Sequence, residues 1–196
     1  MRIILMLLVN LLIGLLCIAN CSAQVVGKAG NRTVGVVFRT DGTPFRANEA
    51  IVGIFRRDDT IKDTTNDDGI FCIVIPTNIS SFQLVYRSAE YWGYISPEIK
   101  STRDPIKIDK VSLRKKDPND NAQLEIINTL LKTELEIYNA TSSPVLRKAI
   151  REELIKLSDS IEIPPFDPQS SGITMKEREM RINARISIDT VVVQMK

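Results

Sequence analysis

The chain has 196 residues, with 26 lysines and arginines against 24 aspartates and glutamates, and a net charge of +2. That balance gives no electrostatic reason to expect a nucleic acid or another polyanion as partner. Histidine is absent, which removes the commonest general base and the commonest metal ligand.

The chain opens on a targeting segment. Met1-Arg2 is a short basic start, and Ile3 to Leu16 is apolar apart from Asn10, with Gly14 interrupting it. Cys21-Ser22-Ala23 then supplies the small residues of a signal-peptidase site. Residues 1–23 are therefore read as a signal peptide and Gln24 as the mature N-terminus. Two alternatives stay open, and they are the only routes to a membrane in this reading. An uncleaved signal would act as an anchor, since its apolar run reaches the short limit of a bilayer span. Ile18-Ala19-Asn20-Cys21 resembles a lipobox, which would make Cys21 a lipidation site. Cleavage before Gln24 leaves Cys72 as the last of three cysteines, so the mature domain is expected to rely on its core without an intrachain disulfide. Cys72 alternates in phase with Ile70 and Val74 and reads as a buried thiol. With no histidine to act as base, it is no candidate nucleophile.

From Thr33 to about Leu113 the apolar period is two, which predicts strands. Val34, Val36 and Phe38 alternate. Ile51 to Phe55 and Ile70 to Ile75 are apolar on both faces, as central strands are. Phe82, Leu84 and Tyr86 alternate against Gln83 and Arg87. Ile106 and Ile108 share one phase while Val111 and Leu113 share the other, which predicts a bulge near Asp109-Lys110. Asp41-Gly42-Thr43-Pro44 and Asn66-Asp67-Asp68-Gly69 read as tight turns. This pattern predicts a mainly β fold, a seven-stranded antiparallel β-sandwich over residues 24–117.

After Asp117-Pro118 the period becomes 3.6. Leu124, Ile127, Leu131, Leu135 and Tyr138 fall on one helical face, with Asp120 and Gln123 as a capping pair. Ser143 and Pro144 start a second helix with its stripe at Leu146, Ile150, Leu154 and Leu157. Residues 118–160 are thus expected to form an αα-hairpin that packs on the sandwich or on another chain. Residues 161–196 read as a proline-containing linker followed by a C-terminal strand, from the alternation Ile182, Ala184, Ile186, Ile188 and the run Val191-Val192-Val193. Such a strand must close on its own fold or pair with a partner.

The segment from Thr33 to Ile99 resembles the carboxypeptidase regulatory-like domain family, a prealbumin-like sandwich. The resemblance rests on Val34-Gly35-Val36-Val37, Asp41-Gly42-Thr43-Pro44, Ala50-Ile51-Val52, Thr65-Asn66-Asp67-Asp68-Gly69-Ile70-Phe71, Ile75-Pro76 and Phe82-Gln83-Leu84. Asn78-Ile79-Ser80 stands where the family usually has a glycine. The resemblance implies an accessory, binding or scaffolding module of an exported protein, without peptidase activity.

Candidate sites are few. Asp58-Asp59 and Asp67-Asp68 sit at predicted turns, and neighbours on a strand point to opposite faces, so neither pair makes a catalytic dyad. The spacing from Asp63 to Gly69 departs from that of a calcium loop. Arg114-Lys115-Lys116 reads as a solubilising strand end. Tyr91, Trp92 and Tyr94, grouped around Gly93, form the candidate ligand-binding segment, a stacking surface for a sugar or an anchor for a protein. Asn31, Asn78 and Asn139 head glycosylation sequons that matter only in a eukaryotic secretory pathway. The expectation is an exported, non-enzymatic binding or scaffold protein of the cell envelope or extracellular space, with no cofactor and no metal. Its expected partner is another envelope or extracellular protein, and the alternative is a carbohydrate held by Tyr91, Trp92 and Tyr94.

Overall fold

A computed structural model of the chain describes residues 30–56, 61–102, 105–166 and 172–196. Residues 1–23, read above as a signal peptide, Asp58-Asp59 and the side chain of Asn31 lie outside what it describes.

The described fold is β-rich, with ten strands in sheets and four helices. The first sheet is built on β1 (Gly30–Arg39), which pairs antiparallel with β4 (Ile70–Pro76) from Gly30↔Pro76 to Val36↔Ile70. Its other edge takes β9 (Ile106–Lys107) and β10 (Val111–Leu113), both parallel to β1. The bulge expected near Asp109-Lys110 is present. Val34 faces Lys107 whereas Val37 faces Val111, one extra residue on the returning strand. The second sheet runs β3-β2-β6-β7 and is antiparallel throughout, from β2 (Ile51–Ile54), β3 (Lys62–Thr64), β6 (Leu84–Ser88) and β7 (Tyr91–Ile95). A small pair, β5 (Ser81–Phe82) with β8 (Ile99–Lys100), completes the strands.

The core between the sheets is filled by the inward phase of each strand: Val52 and Ile54, Phe71, Ile73 and Ile75, Leu84 and Tyr86. Two expectations need correction. The sheets are not wholly antiparallel, because the chain returns to β1 from the same end. β4 is also not buried on both faces. It alternates buried and half-buried, with Phe71, Ile73 and Ile75 turned to the core and Cys72 and Val74 on the opposite face of the sheet.

The turns follow their local chemistry. Gly69 has φ +74°, and a Cβ there would lie 2.5 Å from the Val37 carbonyl oxygen. Asn66 Oδ1 accepts the Asp68 and Ile70 amides, which closes the same turn.

The helices form a second layer on the outer face of the β3-β2-β6-β7 sheet. They are α1 (Asn121–Glu125), α2 (Ile127–Ala140), α3 (Pro144–Ser160) and α4 (Gly172–Gln194). Asp120 caps α1 by accepting from the Ala122 and Gln123 amides, and Ser143 caps α3 through the Leu146 amide. Ile126, at φ −105° and ψ 14°, divides the predicted first helix into α1 and α2. A second core joins Trp92 to Leu131, Ile150, Leu154 and Ile188, with Val85 and Ile95 of the sheet packed against it.

Residues 172–194 are the main departure from expectation: they form a helix, not a strand. Evenly spaced apolar residues satisfy both periods, since 184 and 188 are also i and i+4. In the helix Arg181, Ala184, Ile188 and Val192 turn inward, as does Met195 just past its end, while Ile186 is exposed. The Lys176 to Arg181 run of strong helix formers, with Glu177 paired to Arg181 at 2.9 Å, outweighs the β preference of the three valines. The tail thus docks on its own chain. α4 packs against α1, α2 and α3, so the expected hairpin gains a further long helix. The proline segment is tethered to it, because Arg178 and Arg181 donate to the carbonyls of Pro164 and Glu162.

Candidate functional site

The junction between the β3-β2-β6-β7 sheet and the helices carries the densest chemistry of the described fold. It begins with a bulge. Tyr86 faces Tyr94 and Ser88 faces Tyr91, so two residues of β6 oppose three of β7. A regular strand would turn Trp92 and Tyr94 to the same side. The extra residue turns Trp92 into the helical layer, while Tyr91 meets Phe45 edge-to-face at 4.8 Å and Tyr94 stays beside Tyr86.

The expected aromatic site is therefore taken apart. Trp92 is 3 % exposed, and its indole N–H donates to Gln123 Oε1 at 2.6 Å. Tyr91 is half-buried and only Tyr94 of the three is exposed. A sugar platform needs an open ring face, and Trp92 offers none. Gln123, read from the sequence as a capping partner, does more than cap. Its Nε2 holds Asp120 Oδ2 at 2.9 Å while its Oε1 holds Trp92. That side-chain bond is the main reason the Asp120 carboxyl sits below its ordinary value, with the Gln123 and Ala122 amides adding to it.

Beside Trp92 lies a buried quartet of charges. Arg87 of β6 donates to Glu153 Oε2 at 2.9 Å and lies 3.8 Å from Glu134 Oε2. Lys116 reaches Glu153 Oε2 at 2.7 Å and Glu134 Oε1 at 3.5 Å. Glu134 also accepts the Gly93 amide at 2.9 Å, and its side chain is fully buried. A Cβ on Gly93 would lie 2.4 Å from Ile137 Cδ1, so the missing side chain is what lets α2 approach β7. Two cations from the β part meet two carboxylates from α2 and α3, and each has its counter-charge in the other layer.

The paired carboxylates that the fold does bring together are thus neutralised rather than poised to share a proton. Lys116 departs from the solubilising role read for residues 114–116, although Lys115 is exposed and pairs loosely with Glu90. Glu134, not among the sequence candidates, carries a sequence signal of its own. Glu134 lies in phase with the apolar positions Leu131 and Tyr138, where a charge needs a buried partner.

Above one end of the sheet the helices leave a cleft of about 350 Å³. Its floor is Ile51, Gly53 and Val85, and its roof is Ile137, Leu146 and Ala149. Arg56, Lys62 and Arg87 also line it. Val145, at its mouth, is 79 % exposed.

The remaining sequence candidates fall as follows. Asn78 and Asn139 are exposed. Asp63 accepts the Cys72 amide at 2.6 Å, and Asp67 takes the Ala47 amide at 3.4 Å, so the loop acids serve backbone groups and do not converge. Among the described residues no three His, Cys, Asp or Glu side chains gather as a metal site would require. Cys72 is half-buried, where full burial was expected. Among the described residues no helix is long and apolar enough to cross a membrane.

No family model matches the chain, and no curated protein is similar to it. Among solved structures it is similar to two interface mutants of a type II cohesin–X-dockerin complex from Acetivibrio cellulolyticus. Each is 11 % identical, with TM-scores of 0.37 and 0.35, over 82 % of this chain and 94 % of theirs. A 9R-lipoxygenase from Cyanothece PCC8801 aligns at 13 % identity and a TM-score of 0.33, over 84 % of this chain and 32 % of its own. Likeness at this level names no fold.

Proposed function

We propose that the chain is an exported, non-enzymatic binding protein. In this reading a carboxypeptidase regulatory-like sandwich is the rigid platform, and the helical layer docked on it walls a ligand cleft. The observation that carries the reading is the cleft itself: an apolar hollow, at the lower end of ligand-pocket size, set between two layers that the charge quartet holds in register. The helices spend their apolar stripes on their own sheet and on α4, so they are the wall of a site rather than a free docking arm. The carboxylates at the junction are neutralised by Arg87 and Lys116, which suits a structural role. Export follows from the signal segment, and it places the partner in the envelope or extracellular space.

A thermal-shift screen run beside generic peptide, ester and glycoside substrates tests the reading. The expected result is a ligand-dependent rise in Tm without turnover. Turnover abolished by one substitution in this chain would overturn it.

A further inference from the structure

The cleft has a specific origin. Across the outer face of the sheet, strand pairing sets Lys62, Gly53, Val85 and Ile95 in one row, and Thr64, Ile51 and Arg87 in the next. Val85 and Ile95 pack under the helices, but at Gly53 the row has no side chain. That gap is a hollow rather than a close approach. A Cβ on Gly53 would meet Ile61 O and Lys62 Cβ at 3.6 Å and Val85 Cγ1 at 3.8 Å, which is ordinary contact. No backbone crowding demands this glycine, and glycine weakens a strand interior. Its effect is to keep the floor open.

The described charges that line the hollow are cationic. Among the described lining residues there are three cations, Arg56, Lys62 and Arg87, and no acid. Arg56 and Lys62 are exposed, and neither pairs with an acid among the described residues. Arg87 is buried, with its Nη2 bound to Glu153 and its Nη1 facing Glu134 Oε2 at 3.8 Å, so its charge is already matched within the junction. The exposed pair Arg56 and Lys62 is therefore the part of the lining that an anionic head would meet.

We propose that this cleft binds a small amphiphilic anion, a single carboxylate or sulfonate head on an apolar body. The apolar body lies over Gly53 beneath Ile137 and Leu146, and the head turns toward the cations. The proposal rests on the reading of the cleft as a ligand site and adds the chemical class of the ligand.

Calorimetric titration of the purified full chain with decanoate and with decanol, both below their aggregation limits, tests it. Decanoate should bind one to one, and decanol at least about tenfold more weakly. Gly53→Val fills the floor with a strand-favouring side chain, so it should abolish decanoate binding without lowering Tm. Arg56→Gln with Lys62→Gln should weaken decanoate roughly fivefold or more and leave decanol unchanged. Decanol binding as tightly as decanoate, with both lost in Gly53→Val, overturns the anion preference and leaves the cleft reading standing. If neither probe binds, or if Gly53→Val changes nothing, the cleft is not a ligand site and both fall.

Discussion

Glu134→Gln is the sharpest perturbation of the junction, because it removes one charge and almost no volume. In the folded chain the Glu134 side chain is fully buried, and its cationic neighbours Arg87 and Lys116 are each 6 % exposed. After the substitution both cations must share Glu153. One buried positive charge is then left without a counter-charge, in a place where water cannot compensate it. Removing one member of a buried ion pair typically costs about 3–5 kcal/mol. For a chain of this size that corresponds to a fall in Tm of roughly 6–20 °C.

Urea is the denaturant to use, since a guanidinium salt would screen the charges under test. The single tryptophan reports the outcome directly, because Trp92 sits at the junction with Lys116 5.7 Å from its ring centre. The exposed Lys115–Glu90 pair is the internal control. Glu90→Gln should cost no more than about 1 kcal/mol. Replacing all four quartet residues by methionine or leucine should be far milder than Glu134→Gln, since no charge is then left buried and alone. If Glu134→Gln costs no more than Glu90→Gln, the quartet does not hold the layers together and the reasoning fails.

Truncation at Ser171 removes Ala184, Ile188, Val192 and Met195 from the helical core, a loss of about 5–9 kcal/mol of apolar burial. Circular dichroism should show the helical layer melting, and a truncated chain as stable as the parent would show that α4 is not docked. Tyr86→Phe deletes a buried hydroxyl that has no hydrogen-bond partner, so it should raise stability by about 1 kcal/mol in urea unfolding, and a loss of that size would mean the hydroxyl is satisfied. Burial, with Tyr94 adding to it, drives the same phenol far above its ordinary range, so ultraviolet titration should show one tyrosine that ionises only on unfolding. The carboxyl of Asp120 is depressed by Gln123, so its cap is fully present above the unfolded value of 3.8 and is lost as pH falls through the lower folded value. The stability gap between the parent and Asp120→Asn should therefore be flat at neutral pH and close only below about pH 4. Intact mass of exported protein should begin at Gln24, and a lipid-modified Cys21 or a retained Met1 would refute that processing.

The elements that proved legible are those whose signal is local. Turn residues place Gly42 and Gly69 at positive φ, the phase switch after Ile108 marks a real bulge, and Ser143-Pro144 starts a helix where it should. Each depends on a handful of neighbouring residues. The tail failed because residues two apart are compatible with both periods. Charge pairs at i, i+4 and helix-forming composition outweigh the valines there.

The junction failed for a different reason. Arg87, Lys116, Glu134 and Glu153 are scattered along the chain and mean nothing until strand register and helix docking bring them together. Glu134 was the one residue that betrayed the arrangement, as a charge standing where the stripe calls for an apolar side chain. The same argument bears on Gly53. A glycine in the middle of an apolar strand is unfavourable by its own propensity, and nothing near it crowds the backbone. When a local rule is broken and the structure shows no steric reason, the compensation has to be sought in what the missing side chain leaves room for. Here that room is the floor of the cleft.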